Sequence, residues 1–259
     1  MQLLLLLAVI PSLIIAIIVY LSDRKEREPI VELIKAFVLG MFAVLVTLFI
    51  SSIFSINSVD ITKMNVFRIF IYSFLEIALI EELAKFFGGY ILLRKNTNFN
   101  YMYDGIVYYA FVALGFATVE NILYAITTDI STVLIRAITT VPAHTFFGIA
   151  CGYYFALSIR EKIKGNVKKK NRYLFLSMII PILIHGFYDF CLLTGNYIFL
   201  MIYLVFIVSL YVISISNARK MQRIDHLLDS RDIHCRNCGC ILKSNKCDYC
   251  GALNQDEYR

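Results

Sequence analysis

Ionisable side chains interrupt several long apolar stretches of this 259-residue sequence, and their types suit acid–base and metal chemistry. A charge at the centre of a bilayer costs about 2.5–3.5 kcal/mol on insertion scales, so such residues mark functional sites by default. Carboxylates and imidazoles together can take a proton from water or bind a metal ion. The residues concerned are Glu76, Glu81, Glu82, Lys85, Glu120, His144, His185 and Asp189.

The spacing of these residues places several of them on common helix faces. Lys85 follows Glu82 by three positions and Glu81 by four, so it can neutralise one carboxylate while the other stays available. His185 and Asp189 are four positions apart, which lets the carboxylate fix the imidazole tautomer or join it at a metal. The spacing therefore predicts two local clusters that the fold must bring together.

The elements that carry these residues are predicted to be membrane-spanning helices. Hydrophobic residues make up 59% of the chain and charged residues 17%, whereas soluble domains contain about 25% charged residues. A soluble or disordered chain is excluded, because neither could accommodate so much apolar surface. We predict an all-α, polytopic membrane helix bundle with seven spans, at 1–22, 36–57, 67–93, 105–127, 133–158, 173–194 and 197–216.

A few residues within and between the spans carry specific expectations. Pro142 and Pro181, each shortly before a histidine, should loosen their helices and leave room for water or substrate. Gly195 and Asn196 suit the positive φ of a tight turn between the last two spans. Arg136 lies near a predicted helix end and is expected to extend its side chain to the membrane interface.

The distribution of basic residues in the loops predicts the orientation. Alternate loops, beginning with the first, contain thirteen Lys and Arg residues, whereas the other loops contain three. Because basic loops remain in the cytosol, the N-terminus is expected outside and the C-terminal tail in the cytosol of a multi-pass cell-membrane protein. The basic loop at 159–172 is interpreted as a topology determinant close to the lipid headgroups.

The polar tail after residue 216 contains two C-x-x-C pairs separated by eight residues, which resemble a zinc-ribbon double knuckle. The predicted ligands of this structural zinc are Cys235, Cys238, Cys247 and Cys250. Two disulfides are disfavoured because the cytosol is reducing, and Cys240 is surplus to the four ligands. Eight basic against six acidic residues from Asn217 onward give no indication of nucleic-acid binding. We therefore predict a membrane domain at 1–216 with its core at 67–194, a linker at 217–232 and a zinc-ribbon module at 233–254.

Five short motifs in order along the chain resemble the PrsW family, intramembrane proteases related to the CAAX-processing enzymes and their bacterial Abi relatives. The motifs are Glu81-Glu82-Leu-Ala-Lys85, Asp104-Gly105-Ile-Val-Tyr, Gly115-Phe116-Ala-Thr-Val-Glu120-Asn121, His144, and His185-Gly-Phe-Tyr-Asp189. The resemblance extends from about Glu76 to Asp189, and the first span and the tail lie outside it. It implies a metallopeptidase that hydrolyses a peptide bond in or near the membrane, with anti-sigma factors as the known substrate type.

The residues can be given roles in such a reaction, which needs an activated water, a base and groups that stabilise the oxyanion. Glu81 is the candidate base, with Glu82 and Lys85 setting its protonation. His144, His185 and Glu120 could hold a catalytic metal, Asp189 orienting a ligand. The resemblance favours a divalent metal at this site, and the ligand types favour zinc.

Other interpretations remain open. In a metal-free variant Glu81 activates water and the histidines stabilise the oxyanion, and a purely structural role is open for Glu120 or His144 taken alone. Glu76 has no assigned role. The favoured function is an intramembrane endopeptidase acting on a single-pass, anti-sigma-factor-like membrane protein. The alternatives are a proton-coupled transporter, with Gly88-Gly89 and the prolines as helix breaks, and a membrane-anchored sensor acting through the zinc ribbon.

Overall fold

The computed structural model describes residues 2–23, 26–54, 56, 60–94, 96–223, 237 and 250–251, and within these ranges the chain forms helices and no β-strand. The α-helices are α1 (Gln2–Ser22), α2 (Ile30–Ile53), α3 (Val66–Ile71), α4 (Leu79–Leu93), α5 (Met102–Thr127), α6 (Ile130–Ile138), α7 (Thr140–Ile163), α8 (Val167–Leu193) and α9 (Tyr197–Arg223). A 3₁₀ turn covers Ile61–Lys63, and a π-helical segment, Tyr72–Ala78, joins α3 to α4. The predicted all-α membrane bundle is confirmed.

Six helical stretches in the described residues are long and apolar enough to cross a membrane. They are Gln2–Ser22, Ile30–Ile53, Met102–Thr127, Ile130–Ile163, Val167–Leu193 and Tyr197–Arg223. The remaining predicted span, 67–93, coincides with the continuous helical run through α3, the π-helical segment and α4, which contains the charged residues Arg68, Glu76, Glu81, Glu82 and Lys85. Several helices extend beyond the predicted apolar limits because charged end turns remain helical, as with the Glu32–Lys35 ion pair of α2.

Helix α5 lies at the centre of the bundle and packs against α1, α2, α4, α6, α7 and α9. Every residue from Met102 to Thr118 is buried. A Cβ added at Gly115 would lie 1.9 Å from the carbonyl oxygen of Phe37 on α2, and one added at Gly152 on α7 would lie 2.1 Å from the carbonyl oxygen of Gly105. Small residues let membrane helices approach this closely, so α2, α5 and α7 form a tightly packed group at the centre of the bundle.

The predicted span 133–158 is divided in the structure, because α6 ends at Ile138 and α7 begins at Thr140. Pro142 has no N–H and cannot donate to the carbonyl of Ile138, which would be its helical partner. The hydroxyl of Tyr211 on α9 donates to that carbonyl instead, at 3.0 Å. The helix is therefore interrupted at Thr139, about one turn before Pro142, as the loosening expected from this proline predicts, whereas α8 continues through Pro181.

The last two helices are joined by a short turn, as predicted. Gly195 has a φ of +61°, a conformation that glycine adopts without steric cost. Beyond Arg223 the predicted ligands Cys235, Cys238 and Cys247 lie outside the described residues, and Cys250 is exposed at a turn. The zinc ribbon and the domain boundaries remain predictions.

Candidate active site

The acidic pair Glu81-Glu82 lies in the first turn of α4, immediately after the π-helical segment. A π-helical insertion shifts the register of the residues that follow it, and such insertions often occur at functional sites. Glu82 is buried, whereas Glu81 is partly exposed to a cavity inside the bundle. The two neighbouring carboxylates therefore have different surroundings.

Lys85 lies at the centre of the cluster. Its Nζ is 2.8 Å from Oε1 of Glu82, 3.4 Å from Oε2 of Glu81 and 3.0 Å from Nδ1 of His144. It also lies 3.8 Å from the centroid of the Phe116 ring, a cation–π distance. The predicted pairing of Lys85 with the acids is thus present, and Lys85 additionally joins α4 to α5 and α7.

His144, on α7, is 2% exposed and has a partner at each ring nitrogen. Its Nδ1 faces Lys85, and its Nε2 lies 2.8 Å from Oε2 of Glu120 on α5. An ammonium group can only donate, so Nδ1 accepts from Lys85 and the ring proton on Nε2 is donated to Glu120. Glu120 therefore contacts the side of the imidazole that faces away from Lys85.

His185, on α8, lies between two carboxylates from different helices. Its Nδ1 is 2.8 Å from Oε1 of Glu82, and its Nε2 is 3.3 Å from Oδ2 of Asp189 and 4.0 Å from Oε2 of Glu81. The predicted contact between His185 and Asp189 is present, and the contact with Glu82 links α8 to α4. The rings of His144 and His185 meet edge to face, with centroids 5.2 Å apart.

Arg136 does not extend to the membrane interface, so that prediction is wrong. Its guanidinium lies 2.8 Å from Oε1 of Glu120, its Nε donates to Oδ1 of Asn121 at 2.9 Å, and it stacks 3.7 Å from the centroid of the Tyr124 ring. The short helix α6 directs the arginine inward, where the partly buried carboxylate of Glu120 offers a stronger interaction than the interface does. Its anionic partner, Glu120, lies on α5, and the sequence around Arg136 gives no sign of this contact between helices.

These groups line a cavity of about 400 Å³, which we call the active-site cavity. Its lining includes the ionisable residues Glu76, Glu81, Glu120, Arg136, His144, His185 and Asp189. Glu76, which had no predicted role, forms an ion pair with Arg68 at the edge of this cavity. Thr140 and Tyr188 also line it, their hydroxyl oxygens 3.0 Å apart; no sequence signal had singled out these two hydroxyls.

The donor set has the composition of a metal site. One ligand atom from each of Glu81, Glu82, His144 and His185 lies within 4.8 Å of the others. Two imidazoles with carboxylate oxygens are a common ligand set for zinc in hydrolytic enzymes. Glu120, a predicted ligand, is not in this group and contacts His144 instead. These donor atoms are of the types that bind divalent metals. Nζ of Lys85 contacts three of the four residues and would have to move before a metal ion could occupy its position.

The fold and the site together define a multi-pass membrane protein in which acids, imidazoles and a lysine meet inside the helix bundle. A family model described as "PrsW family intramembrane metalloprotease" matches residues 28–214. The chain therefore belongs to the PrsW family of intramembrane proteases and is a membrane-embedded peptidase.

Several relatives named "Protease PrsW" support this assignment. The protein of Oceanobacillus iheyensis is 39% identical over 210 residues, which cover 81% of this chain and 92% of the relative. The protein of Clostridioides difficile is 34% identical over 223 residues, covering 83% and 90%. The protein of Bacillus subtilis is 34% identical over 207 residues, covering 80% and 89%. No solved structure gives a significant match.

Proposed function

We propose that the chain hydrolyses a peptide bond of a membrane protein with Glu81 as the general base. The observation that supports this role is that Glu81 faces the active-site cavity without a short contact to a cation or an imidazole. Glu82 and Glu120 each make two contacts of 2.8 Å, whereas the shortest contact of Glu81 is 3.4 Å. A base must have a free lone pair directed at the water that it activates.

The neighbouring residues hold the base and the reacting groups in place. Lys85 donates to Glu82 and to His144, and so fixes the relative positions of α4 and α7 around Glu81. Arg136 and Glu120 in turn fix the orientation of His144. In the metal-free form of the mechanism, N–H groups of His185 near the cavity would stabilise the oxyanion while Glu81 takes the proton of the attacking water.

A catalytic divalent metal, most suitably zinc, would be held by His144, His185 and Glu82. This set replaces the predicted ligand Glu120 with Glu82, whose Oε1 already lies 2.8 Å from His185, and leaves Glu81 facing the cavity as the base. When bound, such a metal supplies a water of lowered pKa and polarises the scissile carbonyl. Glu120 and Asp189 would then orient the two imidazoles through their other ring nitrogens.

The proposed substrate is a single-pass membrane protein of the anti-sigma-factor type, which is what the family resemblance implies. The active-site cavity lies among helices of membrane-spanning length, so a substrate would have to present its peptide bond at or close to membrane depth. We further propose that the N-terminus is outside the cell and that a zinc-ribbon tail with Cys235, Cys238, Cys247 and Cys250 lies in the cytosol. The ribbon zinc would be structural because all four positions are filled by protein.

The transporter alternative receives no support from α4. Gly88 and Gly89 were candidate helix breaks, but α4 is continuous across both, and Gly89 packs closely against the ring of Tyr109. A glycine pair used for close packing is typical of membrane helix interfaces.

The experiment that tests the proposal is cleavage of a single-pass substrate by the full chain in proteoliposomes. Glu81→Gln should abolish cleavage, because an amide cannot accept the proton of water, while the amount of folded protein is unchanged. The matched control is Glu76→Gln, which alters another carboxylate of the same cavity and should retain most of the activity. Full cleavage by Glu81→Gln would refute the assignment of the base.

A further inference from the structure

A second cavity, of about 750 Å³, lies on the other side of α7, and we call it the lateral cavity. Its walls come from α1, α5, α7 and α9. The lining residues of α7 are Pro142, Thr145, Phe146 and Ile149, whereas Thr140 and His144 of the same helix line the active-site cavity. The two cavities share no lining residue, so the lateral cavity does not belong to the site described above.

The lateral cavity has the depth of one membrane leaflet. Along α9 its lining extends from Tyr211 to Gln222, which at about 1.5 Å per residue corresponds to roughly 16 Å. Half of the hydrocarbon core of a bilayer is about 15 Å. Tyr211 lies near the middle of α9 and Gln222 near its end, so the cavity extends from the centre of the membrane to one surface.

The charged and amide side chains that line the lateral cavity lie at that surface. Most of its lining is aliphatic or aromatic, and the ring of Phe146 packs on Tyr211, with centroids 4.5 Å apart, near the mid-membrane end. At the opposite end Gln222 donates to the backbone carbonyl of Ser22 at 2.5 Å. Arg219 lines this end as well, is exposed, and forms no ion pair with any residue that the structure describes.

We propose that the lateral cavity binds an anionic membrane phospholipid, with an acyl chain along α7 and α9 and the phosphate at Arg219. The apolar lining matches an acyl chain, the depth matches one leaflet, and the guanidinium of Arg219 at the surface end complements a negatively charged headgroup. The volume is within the range of about 300–1,000 Å³ for specific ligand sites. With the tail in the cytosol, the lipid would come from the cytosolic leaflet.

The bound lipid would be in contact with the helix that carries His144. Thr145 and Phe146 directly follow His144 and face the lateral cavity, and Pro142 has already removed one backbone hydrogen bond from this part of α7. An acyl chain against these residues would fill the space behind the histidine. The lipid would therefore contact the helix of His144, but the site does not depend on the role of Glu81, because the two cavities share no lining residue.

The absence of tryptophan from the chain allows a direct test by fluorescence quenching. Single-tryptophan reporters would be placed in the lateral cavity by Phe146→Trp and, as a second reporter, by Ile215→Trp. Val212→Trp is the control, because Val212 is 63% exposed on α9 and does not line the cavity. The full chain is reconstituted in phosphatidylcholine vesicles. In one titration an increasing fraction of the lipid is phosphatidylglycerol brominated on its acyl chain, and in the other it is phosphatidylcholine brominated in the same way.

The expected result is that both cavity reporters are half-quenched at about fivefold lower fractions of brominated phosphatidylglycerol than of brominated phosphatidylcholine, the preference expected for one basic residue near the membrane surface. The Val212→Trp control should show little headgroup preference. Arg219→Gln should remove the preference at the cavity reporters, whereas Lys220→Gln, which changes an exposed residue outside the lining, should leave it in place.

Three results would overturn the proposal. One is equal quenching by the two headgroups at both cavity reporters. Another is loss of the preference in Lys220→Gln to the same extent as in Arg219→Gln, which would indicate general surface charge. The third is quenching that lacks a headgroup preference and is relieved by a single-pass peptide, which would assign the cavity to the protein substrate.

Discussion

Nζ of Lys85 lies 3.0 Å from Nδ1 of His144, so the ammonium group of α4 is hydrogen-bonded to an imidazole of α7 fifty-nine residues further along the chain. The same group neutralises Glu82 at 2.8 Å. One buried ammonium group therefore contacts an acid and a histidine that belong to different helices.

Replacing Lys85 with methionine should destabilise the protein and abolish cleavage. Methionine keeps the approximate volume but leaves buried carboxylates without their cation, a change that typically costs about 3–5 kcal/mol. The measurements are thermal unfolding in detergent and cleavage of a single-pass substrate. The control is Lys35→Met, which removes an exposed ion pair with Glu32 and should change stability by about 0–1 kcal/mol. Unaltered stability and activity of Lys85→Met would show that the cluster does not need this charge.

Arg136 is expected to act as a positioning residue through Glu120. Arg136→Gln removes the 2.8 Å contact that holds the carboxylate against His144, so kcat should fall by about 10- to 100-fold while KM changes little. Arg136→Lys retains a cation and should recover part of the loss. A role in substrate binding would instead raise KM, and a purely structural role would lower the amount of folded protein without altering kcat.

The loop before α2 should make stability depend on pH. Burial raises the pKa of Glu28 to about 7, although its hydrogen bond from Tyr108 opposes the shift. The native chain therefore keeps this proton up to about pH 7, whereas the unfolded chain loses it near the ordinary value of 4.5. Because the native state binds more protons between these values, its stability should fall as the pH rises from about 4.5 to about 7.

Thermal unfolding in detergent across this pH range measures the effect. Glu28→Gln keeps a hydrogen-bond acceptor for Tyr108 and should flatten this part of the profile. Glu28→Ala additionally loses packing, so its melting temperature should be lower at every pH, with the same flattened slope. A wild-type slope that persists in Glu28→Gln would assign the dependence to another group.

Local features of the site could be predicted from the sequence because they depend only on helix geometry. The pairing of Lys85 with the acids and of His185 with Asp189 follows from spacings of three and four residues on a single helix. The apolar pattern likewise predicted the bundle, and the pair Gly195-Asn196 predicted the turn between the last two helices.

Contacts between helices could not be predicted in this way. Glu82 and His185 are 103 residues apart and meet only through the relative register of α4 and α8, which the π-helical segment before α4 shifts. The same limit applies to Arg136, whose partners Glu120 and Asn121 lie across a helix interface. For the same reason the sequence predicted Glu120 as a ligand where the structure favours Glu82. Spacing along the chain does not show that Glu82 contacts His185 and that Glu120 contacts only the far ring nitrogen of His144.

Zinc content distinguishes the membrane site from the tail. If both proposed sites bind zinc, the full chain should contain two zinc ions, Cys235→Ser with Cys238→Ser should contain one, and His144→Ala with His185→Ala should also contain one. Plasma emission spectrometry on protein purified without a polyhistidine tag or chelator gives the ratio of metal to chain. If the wild-type chain contains one zinc ion and only the double cysteine substitution removes it, a tightly held metal among Glu82, His144 and His185 is excluded. That result would favour the metal-free mechanism, in which Glu81 activates water beside Lys85 and His185. One zinc removed only by the histidine pair would exclude the ribbon instead, because a site built from two C-x-x-C pairs loses its metal when two of its four thiolates are replaced.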